Sequence, residues 1–372
     1  MQFADVVGHD ALKQRLRETL REKRVAQSYL FLEQEGSGGL PLAMAFAQLL
    51  NCESPTETDS CGECNSCHKI GRLIHADVHY TFPIVADKAK HKEASEDYLA
   101  DWRKAFPANP YMSMQDWIAS ISDENKQGNI TAKEITNIIK GLSLTHLEGQ
   151  YKVQVIWGAE NLEKEGNKLL KLLEEPPERT VFLMVAQNSE RILPTILSRS
   201  QSIKVPRIAE EDISKALVAE CGIDEARAAQ VASMAEGSWP LALHLAEEGS
   251  NDNLGLIKSF LNQSIGRKNV PQLLKDVEAI VGLGRVRLKQ FLEYMLLLYR
   301  RSMVAQATGE IYAGPNTEEN EFIQKLSARL GTKRAQKLPE QIGKTIFYIE
   351  RNGYGRLVLF NLAIQVGKAL KQ

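Results

Sequence analysis

The stretch "FLEQEGSGGLPLAMAFAQLLNC", Phe31 to Cys52, constrains the fold more than any other. A short apolar strand runs into a glycine-rich turn (Gly36, Gly38, Gly39) and then into an apolar helix, Pro41–Leu50. Strand, tight turn and helix in that order make the first half of a βαβ unit, which belongs in a parallel sheet. The turn also has the shape of a phosphate-binding loop, G-x-x-x-x-G-K-[ST]. In such loops backbone N–H groups cradle phosphates, the Lys reaches the terminal phosphate and the hydroxyl holds Mg²⁺. In that register the first Gly falls on Glu33, the second on Gly38, the Lys on Gly39 and the hydroxyl on Leu40. The loop's backbone pattern remains, but its charges are gone.

Beyond the loop, "HADVHYTFPIV", "YKVQVIWGAENL" (Tyr151–Leu162), "TVFLMVAQ" and "SIKV" read as strands, with helical segments between them. Strands alternating with helices predict parallel βαβ units and an α/β sheet over residues 1–206. "DALKQRLRETLREKR" has helical spacing of Leu12, Leu16 and Leu20, and "EGNKLLKLLEEPP" reads as a helix stopped by Pro176 and Pro177. Thr131 is a candidate N-cap with Glu134 three residues on, the spacing of a capping box. Residues 86–128 pass from a charged run, "DKAKHKEASEDY", to one rich in Pro and aromatics, and read as an insertion with little intrinsic order or as a helical excursion. After Pro206 the strand signals stop. Residues 207–250 read as a small helical unit and 251–372 as a longer all-α region. A chain of 372 residues exceeds one ordinary core, so several domains are expected.

A loop of this class needs an acidic partner at the end of a central strand to hold Mg²⁺. Here the strand Val153–Ile156 is followed by Trp157 and Gly158, neither of which binds a cation, and Glu160 is displaced. Two independent losses make productive ATP binding and hydrolysis an unlooked-for activity of this chain. Cys52, Cys61, Cys64 and Cys67 have the spacing C-x₈-C-x₂-C-x₂-C, which favours a closed, structural tetrahedral Zn²⁺ site over a redox pair or an iron–sulfur cluster. His68 and His75 are nearby spare ligands. No run is long and apolar enough to span a bilayer, and "MQFADVVGHDALKQ" has no leader pattern, so a cytoplasmic protein is expected. With 46 basic residues against 47 acidic ones, any contact with nucleic acid has to come from local patches. Arg199, within "LSRSQ", either caps its own helix or reaches a phosphoryl group bound by a neighbouring protomer.

"FADVVGHDALKQRL", "YLFLEQEGSGG", the four cysteines, "YKVQVI", "NKLLKLLEEPP" and "ILSRSQ" occur in this order. Together they resemble the AAA+ subunits of the bacterial DNA polymerase III clamp loader. The resemblance implies a RecA-like parallel sheet carrying a zinc knuckle (52–67), a helical lid (207–250) and a C-terminal oligomerisation collar (251–372). It implies partners: the gamma/tau and delta subunits, a sliding clamp reached through the complex, and primed DNA bound without sequence specificity, with no membrane. The degenerate loop (Gly36, Gly38, Gly39, Leu40) and degenerate strand end (Trp157, Gly158) point to a non-hydrolysing ring member. Such a member would supply Arg199 as a finger in a neighbour's ATP site, a group worth about 10³–10⁵ in rate. The alternatives are an active gamma/tau-type ATPase or a zinc-containing DNA-binding scaffold. The family's S-R-C is S-R-S here, a sensor residue falls near Asn188, and Pro240 replaces the lid's sensor arginine. Lys140, Arg179 and Lys204 are candidate contacts to a phosphate backbone.

Overall fold

A computed structural model describes the chain except for residues 88–90, 123–127, 144–145, 248–252, 267–269, 310–316, 331–334, 351–352 and 371–372. The chain divides into two compact units, Met1–Glu247 and Glu248–Gln372. Of the lid segment of the sequence reading, 207–250, residues 207–247 fall in the first unit, and 248–250 lie outside the described residues.

The first unit opens with α1 (Asp10–Arg21), β1 (Ser28–Leu32), α2 (Gly39–Leu50), α3 (Asn65–Gly71) and β2 (Val78–Thr81). α4 (Leu99–Ala108), α5 (Met114–Ile121) and α6 (Ala132–Ser143) follow, then β3 (Lys152–Trp157), α7 (Leu170–Glu174), β4 (Thr180–Ala186), α8 (Pro194–Leu197) and β5 (Gln201–Lys204). The five strands form one all-parallel sheet in the order β2-β3-β4-β1-β5, with Tyr29 opposite Leu183 and Gln201, and Val153 opposite Val181 and Val78. Every residue of β3 and β4 is buried, as expected of central strands covered by helices on both faces. α2 is buried all round, which is why its sequence is apolar without a polar stripe. The α/β reading of the first 206 residues holds, strand for strand.

Three local expectations need correction. Of the two readings of residues 86–128, their described part takes the helical one and not the weakly ordered one, because α4 and α5 bury Trp102 and Trp117 against the sheet. Phe82 stacks on Trp102 at 4.3 Å, and Trp117 and Trp157 pack on the same indole at 5.1 and 5.5 Å. Charge and proline made the segment look disordered, whereas its aromatics supply enough apolar area to fix it. "EGNKLLKLLEEPP" is α-helical only in α7; Ala159–Leu169 winds as a 3₁₀ run. Gly166 within it weakens α-helix and lies close against Ile196 and Leu193. Thr131 does accept from the Glu134 N–H (3.2 Å), but Glu134 does not return the bond. Its buried carboxyl accepts from Thr81 Oγ1 (2.7 Å) and the Ser95 N–H (2.6 Å), tying the insertion to β2.

α9 (Glu210–Cys221), α10 (Glu225–Met234) and α11 (Trp239–Glu247) complete this unit around Ile213, Leu217 and Ala232. The second unit is helical throughout its described residues: α12 (Asn253–Gly266), α13 (Val270–Gly282), α14 (Arg285–Thr308), α15 (Thr317–Ser327), α16 (Leu338–Glu350) and α17 (Gly355–Leu370). Its core holds Phe260, Phe291, Met295, Tyr299 and Val366, and a buried Arg301–Glu319 ion pair joins α14 to α15. Among the described residues no helix is long and apolar enough to cross a membrane.

Candidate functional site: a filled phosphate loop and a four-thiol knuckle

The glycine loop lies where β1 hands over to α2, and its sequence explains its shape. Gly38 sits at φ +96°, a left-handed conformation that disfavours other residues, and a methyl group there would lie 2.9 Å from the Tyr111 ring. Gly39 begins α2, so its N–H is one of the orphan donors of a helix N-terminus, where an anion is ordinarily welcome. Pro41, two residues later, contributes no N–H at all.

The protein's own carboxyl fills that position. Glu33 folds back from the end of β1, and its Oε2 accepts from the Gly39 N–H at 2.6 Å. Glu33 is buried, and burial pushes its carboxyl up to about 8, helped by the nearby Glu160 and opposed by the Gly39 and Gly38 N–H groups. The group at the cradle is thus largely a neutral acid at pH 7. Glu160, also raised by burial, accepts from the Gln187 N–H (3.2 Å) and keeps its Oε2 buried without a hydrogen-bond partner. The lysine position is a glycine against Glu33, and the hydroxyl position is Leu40, buried in the core.

Two more elements close over the loop. Tyr111, from the insertion, lies on Gly38, and its hydroxyl accepts from the buried Val7 N–H at 2.8 Å. From the start of α11 the Trp239 N–H donates to the Gly36 carbonyl at 3.0 Å, while Ser238 and Pro240 abut Gly36. Pro240, standing at the lid's sensor position, is thus a packing contact of the loop. Arg207 Nε donates to Gln34 Oε1 (2.5 Å) and its Nη1 pairs with Glu236, a second tie from loop to lid. At the strand end Trp157 is buried in the aromatic cluster, and Gly158, at φ +68°, leaves room for Met114 and Pro83. Asn188 is exposed and spends its side chain capping a short turn through the Glu190 N–H (2.9 Å). Sequence reasoning identified the missing charges but missed Glu33, Tyr111 and Trp239 as their replacements. Only Glu33 left a signal, a carboxylate in the first-glycine register.

Arg199 is exposed at the end of α8. Its Nε donates to Glu174 Oε1 at 2.8 Å, its Nη2 pairs with the same carboxylate, and its Nη1 donates to the Thr195 carbonyl at 3.0 Å. Arg199 thus caps its own short helix while its guanidinium remains at the surface. Lys140, Arg179 and Lys204 are also exposed.

At the other end of α2 the four thiols converge. All Sγ atoms of Cys52, Cys61, Cys64 and Cys67 lie within 4.8 Å of one another, and Cys61 and Cys67 are 3.9 Å apart. A tetrahedral Zn²⁺ with Zn–S of about 2.3 Å requires S···S edges of about 3.8 Å. The Cys61 N–H donates to Cys52 Sγ (3.1 Å), the Cys64 N–H to Cys61 Sγ (3.3 Å) and the Cys67 N–H to Cys64 Sγ (3.4 Å). Such bonds favour thiolates, and the Cys64 N–H, first among its partners, draws Cys61 down to about 7. The cluster can hold zinc with every position filled by sulfur, which leaves no site for a reacting water. His68 is exposed on α3, and His75 receives the Asp77 N–H on Nδ1 (3.1 Å); neither joins the thiols.

Residues 8–209 match the family described as "DNA polymerase III, delta subunit", and the chain belongs to that family. It is 24% identical to DNA polymerase III subunit tau of Bacillus subtilis over 97% of its own length and 60% of that protein's. It is 27% identical to the Escherichia coli tau subunit over 75% of its length and 38% of that protein's, so it spans only part of these relatives. A gamma-subunit-related structure from Thermotoga maritima superposes with a TM-score of 0.42 at 15% identity, covering 96% of this chain and 100% of that one, too loosely to carry residue roles across.

Proposed function

We propose that this chain is the delta prime subunit of a bacterial DNA polymerase III clamp loader, a ring member that does not turn over ATP. In this reading it is a cytoplasmic stator beside a gamma/tau ATPase and a delta subunit. The ring opens a sliding clamp and places it on primed DNA, touching phosphates without reading sequence. Residues 207–250 act as a lid, 251–372 as the oligomerisation collar, and zinc at Cys52, Cys61, Cys64 and Cys67 is structural. One observation carries the proposal: Glu33 occupies the amide cradle of a loop whose lysine and hydroxyl positions are Gly39 and Leu40. A triphosphate entering there would have to displace a buried carboxyl, Tyr111 and the Trp239 contact, with no lysine at the position that ordinarily receives its charge.

Arg199 is then the group this subunit lends. Glu174 holds it at the surface through an exposed ion pair, and such pairs are worth about 0–1 kcal/mol, so release toward a neighbour's phosphate is cheap. The test uses the full chain alone and mixed with gamma/tau and delta. Alone it should neither bind nor hydrolyse ATP. In the mixture Arg199→Ala should lower hydrolysis at the adjoining site by about 10³-fold or more, with Arg199→Lys a poor substitute because the planar fork is lost. Turnover by the isolated, pure chain would instead leave the active gamma/tau-type reading standing.

A further inference from the structure

At the end of the sheet opposite the glycine loop lies a cavity of about 740 Å³ between α1, the first residues of the knuckle, and the segments entering β3 and β4. Arg17 and Arg21, one turn apart on α1, line it together with Lys23 and Arg179. Its apolar part includes Leu20, Leu50 and Tyr151, and Glu57 is the one carboxylate on the lining. Among the described residues none of the four cations pairs with a carboxylate. Arg17 donates to the Thr58 carbonyl (3.0 Å) and Arg21 to the Glu57 carbonyl. Each guanidinium carries five N–H donors, so most remain available. Lys23 and Arg179 stand on left-handed backbone at φ +56° and +53°, a conformation that persists where surrounding structure imposes it.

We propose that this groove docks a short acidic peptide segment of a partner protein, with one apolar side chain seated against Leu20, Leu50 and Tyr151. Four cations against one carboxylate, Glu57, around a single cavity select an anionic occupant through charge complementarity. The apolar floor selects between the anionic classes. A single-stranded nucleic acid is held by successive aromatic platforms, and this lining has one aromatic, Tyr151. An alkyl or aromatic side chain flanked by Asp and Glu satisfies floor and rim together. The proposal does not rest on the role of Arg199 or of the glycine loop.

The experiment titrates the zinc-replete full chain into a labelled Asp-rich peptide carrying one Phe, read by fluorescence anisotropy. The same peptide with Phe replaced by Ser and a dT oligonucleotide of equal charge serve as comparisons. The expected result is saturable binding of the Phe peptide, weakened roughly tenfold by the double variant Arg21→Glu/Arg179→Glu and weakened again in the Ser peptide. Both substituted residues are exposed, and retained zinc content and melting temperature verify folding. Should the double variant fail that check, Lys23→Glu alone must weaken binding. Absence of saturable binding, indifference to the charge reversals, or equal or tighter binding of the oligonucleotide overturns the proposal.

Discussion

The two ends of α2 carry two inherited motifs with opposite fates. At its N-terminus a phosphate cradle has lost its ligand-binding side chains, and the protein's own groups have moved in: Glu33 onto the Gly39 N–H, Tyr111 onto Gly38 and Trp239 onto Gly36. Past its C-terminus four thiols converge within 4.8 Å of one another, a geometry that could hold a metal ion. Buried donors must be satisfied and voids forfeit contacts, so neighbouring groups pack into the cradle.

The comparison breaks most sharply at Trp117. Fully buried, with its Nε1–H on the Pro83 carbonyl at 2.8 Å, it anchors the insertion that closes the loop. Trp117→Ala should cost about 3–5 kcal/mol by denaturant unfolding. A loss below about 1 kcal/mol would mean that the insertion is not part of the folded unit.

Metal removal probes the other end. With free zinc a thousandfold above its Kd, binding stabilises by about 4 kcal/mol, which in a unit of this size is about 8–16 °C in Tm. Chelation or Cys64→Ser should remove that increment, and metal analysis should count one zinc per chain beforehand. A melting temperature indifferent to the chelator would strip the knuckle of its structural role.

Glu33 sharpens the contrast through pH. Its carboxyl is raised from 4.5 to about 8, so the folded chain keeps a proton that the unfolded chain releases. Its contribution is intact below about pH 4.5 and is lost progressively as pH rises through about 8. Glu33→Gln, neutral throughout, should match the parent near pH 4 and exceed it by about 3 kcal/mol at pH 7. Parallel stability profiles for the two would show that the carboxyl is not buried in the cradle. Tyr111→Phe should be the smallest effect, about 1 kcal/mol, from leaving the buried Val7 N–H without its acceptor.

The sequence alone determined the features written in short-range chemistry. Strand and helix order followed from apolar periodicity, the altered loop chemistry from Gly39 and Leu40 standing at the Lys and hydroxyl positions, and the four-thiol cluster from its spacing. What replaced the lost chemistry was decided only by the tertiary structure. Tyr111 meets Gly38 from more than seventy residues away and Trp239 meets Gly36 from about two hundred, partnerships that no local pattern encodes. Residues 86–128 read as weakly ordered or helical because composition counts charges and prolines, while burial depends on where Trp102 and Trp117 find a surface. Propensity is a property of neighbours along the chain, and the filling of a cavity is a property of neighbours in space.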